Sequence, residues 1–577
     1  MKNREIAAIF GEMADILEVT GDNPFKVRAY RRAALNVESL ARPVEGLSRE
    51  ELLAIPGIGE ELASKIREYC ESGAVHAHEK LKAEVPAGLL RLLAVPGLGP
   101  RTARLLVEKA GISDLDALEK AAREHRLEGI PGIRAKTEEN ILKGIGTVKR
   151  GIERRPLGHV MPLAEELVAE LGRVASVGRI ELAGSIRRRR ETVKDIDIVA
   201  TATAAAPLME RFTALPAVER VLMHGPTRSS VLVRDGIQVD LRVVEPVSFG
   251  AALAYLTGSK GHNIRIRDLA VKMGLKVNEY GIFRERDDLR LGGEEEDDVY
   301  RLLGLPFIPP ELREDRGEVE AALAGRLPRL IETGDIRGDL HVHSRASDGA
   351  HTLEELVAAT QSRGLAYLAL TDHSRGLGVA HGLSVERLME QHRQVEEMNR
   401  RLSGFTVLHG TEMDIRSDGT LDFPDEVLAE LDVVIASVHS GFRQPRETIT
   451  ARIAAAMRSP YVSIVAHPTG RLLGERDPYE VDMEAVLREA QKTGTAMEIN
   501  AYPLRLDLDD TAARRAGELG VPLVISTDTH AISQFDSLGY GVAVARRAWL
   551  EKGQVLNTLE ADKLLARLKG GNRGKPH

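Results

Sequence analysis

The chain has 577 residues, 43% of them hydrophobic, and a formal net charge of −8 at pH 7. This length predicts several domains, and the apolar content is sufficient for ordinary hydrophobic cores. A single cysteine, Cys70, excludes a disulfide framework and favours a reducing compartment, so we expect a cytoplasmic protein. We expect neither a signal peptide nor a membrane span, because the apolar stretch around Ile6 is short and flanked by acids and no long apolar run follows it.

The first predicted elements are helices. Residues 23–40 (NPFKVRAYRRAALNVESL) indicate a basic amphipathic helix, whose charges can follow a phosphate backbone although the whole chain is acidic. A short Pro-Gly segment then occurs at residues 55–59 (IPGIG), 95–99 (VPGLG) and 130–134 (IPGIR), and a helix-like run follows each copy. The glycines permit a tight turn whose backbone amides face a phosphate group.

An ordinary turn between packed helices would explain one such Pro-Gly pair. Two full copies, and a third with Arg134 in place of the glycine, resemble helix-hairpin-helix motifs, which bind the DNA backbone without reading bases. The N-terminal region is therefore predicted to bind DNA, and its third copy to bind weakly or only to pack.

Three carboxylates follow in two predicted strands. Asp195 and Asp197 are two residues apart in one strand, so their side chains share a face, and Asp240 in the strand GIQVDLRVV can lie beside them. Clustered carboxylates repel one another unless cations neutralise them, and Mg²⁺ prefers oxygen ligands while leaving positions open for phosphate. The cluster predicts phosphoryl transfer with two metal ions.

Groups that suit phosphate precede these acids. Ser185 follows a glycine turn at a predicted helix start, where backbone N–H groups favour an anion, and residues 187–190 are four arginines. A D-x-D pair alone is common, and edge strands use charges to stay soluble. The turn, the arginines and the third acid together favour a catalytic site.

This stretch resembles the palm of nucleotidyltransferases, and residues 255–270 (YLTGSKGHNIRIRDLA) and 276–283 (KVNEYGIF) resemble the thumb region of family X DNA polymerases. The resemblance implies Mg²⁺ or Mn²⁺ held by Asp195, Asp197 and Asp240, with dNTPs as substrates and gapped or primer–template DNA as the partner. By resemblance, the triphosphate contacts are Ser185 and Arg188, the sugar contacts Tyr255 and Gly258, the base-edge contact Asn263, the template contact Arg267, and an added phosphate or base contact Lys260.

Four positions depart from the family pattern without removing a metal ligand. Lys194 replaces a glycine before the first aspartate, Gln238 replaces an arginine, and Lys260 replaces an aspartate. Leu256 replaces a phenylalanine beside the sugar, which makes a terminal transferase or a ribonucleotide-inserting enzyme a near variant.

The same resemblance gives the small N-terminal domain a pocket for the 5′ phosphate of a gap. Lys65 aligns with a lysine that forms a Schiff base with an abasic sugar in some members, a reaction that needs an activated amine. Glu61 replaces a lysine one helical turn away, which argues against lyase activity and favours Lys65 as a solvated residue or a phosphate contact. The candidates for the phosphate pocket are Lys26, Arg28, Tyr30 and Arg31.

In the C-terminal half, six apolar runs end in His, Asp or Glu, and helical stretches alternate with them. That rhythm predicts parallel strands with crossover helices in a barrel, whose strand ends gather the ligands. Imidazole with carboxylate suits Zn²⁺, Mn²⁺ or Fe²⁺ better than Ca²⁺. The six runs end within residues 339–343, 371–373, 410–412, 436–439, 465–468 and 526–530.

This half resembles the PHP family (polymerase and histidinol phosphatase), a distorted barrel of phosphoesterases. The resemblance implies two or three Mn²⁺ or Zn²⁺ ions and 3′→5′ exonuclease activity, with abasic-site or 3′-phosphate processing left open. His381 and Arg443 lie near the motifs and are open candidates for binding phosphate. The implied metal ligands are His341, His343, Asp348, His373, Glu412, His439, His467, Asp528 and His530.

We therefore predict a multidomain α/β protein that fills gaps in base excision repair as a monomer and trims 3′ ends. A nuclease with a degraded palm and a non-catalytic DNA-end adaptor are alternatives, but both predict missing ligands and every ligand position is filled. The expected parts are a helix-hairpin-helix DNA-binding domain (1–84), a fingers-type helical domain (85–150), an α+β nucleotidyltransferase palm (151–245) and thumb (246–310), a linker (311–337) and a distorted (β/α) PHP barrel (338–570).

Overall fold

The computed structural model describes residues 2–20, 22–38, 47–55, 57–83, 100–112, 114–127 and 154–572, with a few single residues between 44 and 145. The chain divides into two compact units. The first unit comprises Met1–Arg154, Leu163–Arg187 and Val193–Phe307, and the second comprises Arg155–Pro162, Arg188–Thr192 and Ile308–His577. Within the described ranges, every helix falls short of the length or hydrophobicity that a bilayer span requires.

The N-terminal part of the first unit is helical, as its sequence predicts. Phe10 packs edge-on against Tyr30, with ring centres 5.7 Å apart, in the core between the first two helices. The turn before the fourth helix uses Gly57 at a φ of +83°, a backbone conformation that glycine readily adopts. The described helices are α1 Lys2–Thr20, α2 Pro24–Glu38, α3 Arg49–Leu53, α4 Glu60–Ser72, α5 His76–Ala83, α6 Pro100–Ala110 and α7 Leu115–Arg123.

Seven of the fifteen positions in the three Pro-Gly segments lie outside the described residues. These undescribed positions are Pro56, Pro96, Gly97, Gly99, Pro131, Gly132 and Arg134.

A five-stranded sheet with the order β2-β4-β7-β6-β5 occupies the centre of the first unit. Strand β4 is parallel to β7 and antiparallel to β2, so the two strands that carry the predicted acids are adjacent and β2 flanks β4. The elements from residue 155 to residue 243 are β1 Arg155–Pro156, α8 Leu157–Leu171, β2 Val177–Ala183, α9 Gly184–Arg187, β3 Thr192–Val193, β4 Asp195–Ala202, α10 Ala205–Thr213, β5 Val218–His224, β6 Arg228–Val233 and β7 Ile237–Val243.

Three helices and a small antiparallel sheet complete the first unit. The second of these helices begins after Ser259, whose hydroxyl oxygen accepts a hydrogen bond from the His262 backbone N–H at 3.3 Å. These elements are α11 Phe249–Thr257, α12 Lys260–Lys272, β8 Leu275–Asn278, β9 Gly281–Arg284, β10 Leu289–Gly292 and α13 Asp297–Arg301.

The second unit is a barrel of seven parallel strands in sequential order, and a bridge between Val342 and Thr529 nearly closes it. Apart from the half-buried Thr406, the strands are buried along their whole length because helices cover them. The strands are β11 Gly338–Val342, β12 Tyr367–Leu370, β13 Thr406–Asp414, β14 Val433–Ser437, β15 Ile464–Val465, β16 Ala496–Asn500 and β17 Leu523–Ser526. The helices are α14 Glu318–Leu323, α15 Leu353–Ser362, α16 Val385–Arg401, α17 Asp425–Leu428, α18 Arg446–Met457, α19 Met483–Thr493, α20 Asp510–Leu519, α21 Leu538–Arg547 and α22 Ala561–Asn572.

The segment predicted as a linker, residues 311–337, belongs to the second unit and contains α14. Just before α14, the fully buried Arg313 donates from Nε to the Ile308 carbonyl oxygen at 2.8 Å. The six-part division of the chain stays a prediction.

Candidate active sites

In the first unit, backbone register brings the three predicted acids to one face of the sheet. Asp197 on β4 is paired with Asp240 on β7, and Asp195 is paired with Gln238. Paired residues of neighbouring parallel strands point the same way, and Asp195 and Asp197 share that face because they are two residues apart. The result is a set of hard oxygen ligands on adjacent strands, which suits Mg²⁺ or Mn²⁺.

Both oxygens of Asp240 are fixed by neighbours, two of which, Arg228 and Ser230, the sequence did not single out. The Ser230 hydroxyl donates to Oδ1, the Gln238 amide donates to Oδ2 at 2.8 Å, and Arg228 Nη2 lies 3.6 Å from Oδ1. Arg228 and Ser230 come from β6, which pairs with β7. The guanidinium beside the third acid therefore comes from a neighbouring strand, whereas position 238 carries an amide.

The turn before Ser185 requires glycine for two reasons. Gly184 has a φ of +67°, and a Cβ at this position would collide with the Asp197 carboxylate. The helix that follows, Gly184–Arg187, is a single turn. Its local N–H groups, and not a long helix dipole, are what it offers to a phosphate.

Three of the four arginines after Ser185 lie against acids. Arg187 makes a bidentate pair with Glu296 at 2.6 Å for both bonds and also donates to Thr257. In the second unit, Arg188 Nε donates to Glu314 at 3.0 Å, and Arg190 lies 3.6 Å from the same carboxylate. Two carboxylates against four guanidinium groups neutralise the positive charge of this run only in part.

The thumb residues predicted to contact the nucleotide lie at the end of α11 and in α12. Asn263 donates from Nδ2 to the Tyr255 carbonyl oxygen at 2.8 Å, so its amide is held at the C-terminal end of α11. Lys260 and Arg267 are exposed, whereas Gly258 is buried.

The predicted 5′-phosphate pocket has fewer available charges than its sequence suggests. Lys26 pairs with Asp22 at 3.2 Å, and Tyr30 is buried with its hydroxyl donating to Glu61 at 3.3 Å. The interpretation of Lys65 as solvated is wrong, because its side chain is only 13% exposed and its Nζ pairs with Glu61 at 2.5 Å. The other two candidates are Arg31, which pairs with Asp15 and Glu18, and Arg28, which lies over the Phe25 ring.

In the second unit, the nine predicted ligands converge at the ends of the barrel strands. Three groups have ligand atoms within 4.8 Å of one another, and all but one of the nine belong to them. The remaining ligand, His467, lies with Nε2 2.8 Å from Glu412 Oε1. The groups are His343 with Asp348, His373 and His530; His341 with His343 and Asp528; and His373 with Glu412 and His439.

Glu412 lies at the centre of this cluster. Its Oε1 is 3.0 Å from His439 Nε2, and its Oε2 is 2.8 Å from His373 Nδ1. Burial would raise the pKa of Glu412, but the surrounding histidines, His373 first, hold that pKa well below its usual value. Glu412 therefore remains an anion that can bridge cations.

Several buried ligand atoms of the cluster make no hydrogen bond among the described residues. His373 Nδ1 and Glu412 Oε2 are 2.8 Å apart, yet their relative orientation does not make a hydrogen bond. Buried polar atoms without partners are costly, and lone pairs directed at a shared point are what a metal ion requires. The same holds for His341 Nε2, both ring nitrogens of His343 and Nδ1 of His467.

Strand β16 contributes no predicted ligand but supports three of them. Glu498 is fully buried and accepts from His341 Nδ1 at 2.8 Å and from the His467 backbone N–H at 2.8 Å. Since a carboxylate only accepts, His341 carries its hydrogen on Nδ1 and turns the lone pair of Nε2 to the cluster. Asn500 donates to both Glu498 and Asp528.

The sequence contained a signal for this pair. Glu498 and Asn500 are polar residues two apart in an apolar strand, so they share its inner face. Two further neighbours of the cluster were also missed: Asp414, 3.5 Å from His439 Nδ1, and Arg505, whose Nε lies 3.2 Å from Asp528 Oδ2.

Comparisons with known proteins agree with this arrangement. Four stretches match known families: helix-hairpin-helix domain (residues 1–75), SAM-like helix-hairpin-helix tandem (89–147), DNA polymerase beta thumb (252–314) and PHP domain (339–501). The chain is 40% identical to DNA polymerase/3′-5′ exonuclease PolX of Bacillus subtilis (strain 168), over 99% of this chain and all of that protein. The chain belongs to the family X DNA polymerases that carry a PHP domain.

The C-terminal unit of this family X polymerase is also similar to separate, smaller proteins. A probable phosphatase of Thermoanaerobacter sp. (strain X514) is 29% identical over 38% of this chain and 89% of its own length. A probable phosphatase of Syntrophotalea carbinolica is 30% identical over 38% of this chain and 92% of its own length. The polymerase therefore combines a palm and thumb with a barrel that also occurs without them.

Proposed function

We propose that this protein is a template-directed, gap-filling DNA polymerase of DNA repair that also removes nucleotides from 3′ ends with its PHP barrel. The observation that carries the proposal is 40% sequence identity, over 99% of this chain, to a polymerase/exonuclease. Both sets of predicted metal ligands are intact in this chain. Its partners are gapped or primer–template DNA and dNTPs. We expect it to act as a monomer in the cytoplasm, where bacterial DNA lies.

For synthesis, we assign Asp195, Asp197 and Asp240 as ligands of two Mg²⁺ or Mn²⁺ ions. Such ions activate the attacking 3′ oxygen and stabilise the leaving pyrophosphate. Contacts from Gln238, and from Arg228 and Ser230 on β6, keep the Asp240 carboxylate oriented. The nucleotide and template contacts proposed for Ser185, Arg188, Tyr255, Gly258, Lys260, Asn263 and Arg267 stay predictions.

For trimming, we assign the nine barrel ligands to two or three Mn²⁺ or Zn²⁺ ions. Bound ions of this kind supply hydroxide near neutral pH for attack on a phosphodiester. Glu498 and Asn500 fix the ligand orientations, and six of the nine ligands are buried. Abasic-site or 3′-phosphate processing would use the same groups, whereas the Lys65–Glu61 pair argues against lyase activity.

The test uses a labelled primer on a one-nucleotide gap with a 5′ phosphate, in Mg²⁺ or Mn²⁺, with and without the four dNTPs. We expect templated extension by one nucleotide with dNTPs and stepwise shortening without them. Shortening alone would support the alternative of a nuclease with a degraded palm. If neither extension nor shortening occurs, the result would support a non-catalytic DNA-end adaptor. Extension without a template strand would indicate a terminal transferase.

A further inference from the structure

The face of the barrel that carries the metal ligands also carries arginines. Parallel strands all end on the same face, and an arginine follows within a few residues of the ligand-bearing end of most of them. Since the second unit has many acids elsewhere, this placement is not a general surplus of positive charge. These residues are Arg345 after β11, Arg375 after β12, Arg416 after β13, Arg443 after β14, Arg471 after β15 and Arg505 after β16.

Two of these arginines, Arg375 and Arg416, are held by one buried carboxylate. The Asp422 carboxylate is 2% exposed and lies between them, with Oδ1 2.9 Å from Arg416 Nη2 and 3.7 Å from Arg375 Nε. Oδ2 of the same carboxylate accepts from the Gly376 backbone N–H at 2.6 Å. One buried carboxylate therefore orients two guanidinium groups and neutralises one of their two charges.

The side chains of Arg375 and Arg416 are still accessible to a ligand. The Arg375 side chain is 52% exposed and that of Arg416 is 44% exposed. By contrast, Arg345 has Glu355 within 3.9 Å, and Arg471 is tied to Glu191 and to backbone carbonyls. Arg375 and Arg416 are thus the exposed arginines of this face that a buried group holds in place.

The pair is fixed relative to the metal ligands. Arg375 lies two residues beyond His373, and Ser374 between them donates its backbone N–H to the Glu412 carbonyl oxygen at 3.0 Å. The Asp414 backbone N–H in turn donates to the Ser374 hydroxyl at 3.0 Å, two residues before Arg416. This net positive site therefore follows two metal ligands of neighbouring strands, since Arg375 is two residues after His373 and Arg416 is four residues after Glu412.

We infer that Arg375 and Arg416 bind a backbone phosphate of the DNA strand upstream of the bond that the barrel hydrolyses. This inference rests on the proposed exonuclease function and assigns the barrel a polynucleotide substrate instead of a small phosphate ester. A small ester has one phosphate, which the metal ions hold, whereas a strand brings a second phosphate that requires its own cation. Guanidinium forks match phosphate oxygens, and a contact to the backbone leaves trimming independent of sequence.

The test compares the double variant Arg375→Gln with Arg416→Gln against wild type on two substrates. One is a single-stranded oligonucleotide, and the other is the p-nitrophenyl ester of thymidine 5′-monophosphate, which has one phosphodiester. The ratio of kcat/KM for the oligonucleotide to that for the ester should fall about tenfold or more. A neutral methylphosphonate is placed at each upstream linkage of the oligonucleotide in turn. At one of these positions it should slow cleavage by wild type, and it should slow cleavage by the double variant much less.

Controls separate this inference from the function on which it rests. Arg393→Gln with Arg400→Gln, on the outer helix α16, removes two exposed arginines that pair with glutamates and should leave the ratio unchanged. Cleavage of the ester reports that the barrel of each variant is folded, and primer extension reports the same for the first unit. An equal loss on both substrates, or no loss on either, would overturn the phosphate contact. If wild type cleaves neither substrate, the exonuclease function itself is wrong.

Discussion

The palm and the barrel offer two different ways to hold metal ions. The palm presents three carboxylates on two adjacent strands, and Asp195 and Asp197 remain partly exposed. The barrel gathers imidazole and carboxylate from six strand ends, with six of the nine ligands buried, and supports them with Glu498 and Asn500. A sparse oxygen site leaves positions for substrate, whereas a dense, supported site suits resident ions.

The largest expected effect comes from inactivating each site separately. Asp195→Ala with Asp197→Ala should lower primer extension by at least about a thousandfold and leave trimming intact, because removal of the ligands removes the ions. His341→Ala with His343→Ala should do the reverse. Both activities are measured on one labelled primer. If either double variant loses both activities while circular dichroism shows it folded, the two sites are coupled and the comparison fails.

Removal of metal should affect the two units unequally. Chelation leaves the buried cluster of the second unit with unpaired ligand atoms, so its thermal transition should fall by about 5–15 °C. The transition of the first unit should move by no more than about 2 °C, because its carboxylates are more accessible to water. Calorimetry of the full chain before and after chelation, and after Mn²⁺ is restored, measures both. An unmoved barrel transition would mean that resident ions do not stabilise it.

Glu498 tests whether support from β16 distinguishes the barrel. Glu498→Gln can no longer require a hydrogen on His341 Nδ1, so metal affinity should fall about 10- to 100-fold, with trimming restored by excess Mn²⁺. Metal content after dialysis against graded chelators gives the affinity without relying on activity. Glu390→Gln, on the exposed face of α16, is the matched control. Unchanged metal content would show that His341 orients itself without Glu498.

What the sequence predicts well is set by local periodicity. The i,i+2 spacing of Asp195 and Asp197 and the positions of histidines after apolar runs follow from strand geometry, and the structure places them accordingly. Contacts that depend on strand pairing were missed, such as Arg228 beside Asp240, because the partner strand is not known from one segment. The charge available after Ser185 was overestimated because the pairing of Arg187 with Glu296 joins residues far apart in the chain.

The smallest expected effect concerns that missed contact in the palm. Gln238→Arg introduces the residue that the resemblance gives for some family members and places a second guanidinium beside Asp240, next to Arg228. Competition with the cation for carboxylate oxygens should raise the Mg²⁺ concentration for half-maximal extension about two- to fivefold. Mn²⁺ binding to the palm, followed by electron paramagnetic resonance in the barrel-inactive variant, should weaken by a similar factor.

Gln238→Leu serves as the control, because it removes the amide donor without adding charge and should change the Mg²⁺ requirement less. If the arginine variant binds Mn²⁺ as wild type does, Arg228 does not already supply the charge that position 238 lacks. Tighter binding would mean that Asp240 needs more orientation than its neighbours provide. The palm would then depend on supporting contacts as the barrel does, and the two sites would differ in ligand chemistry alone.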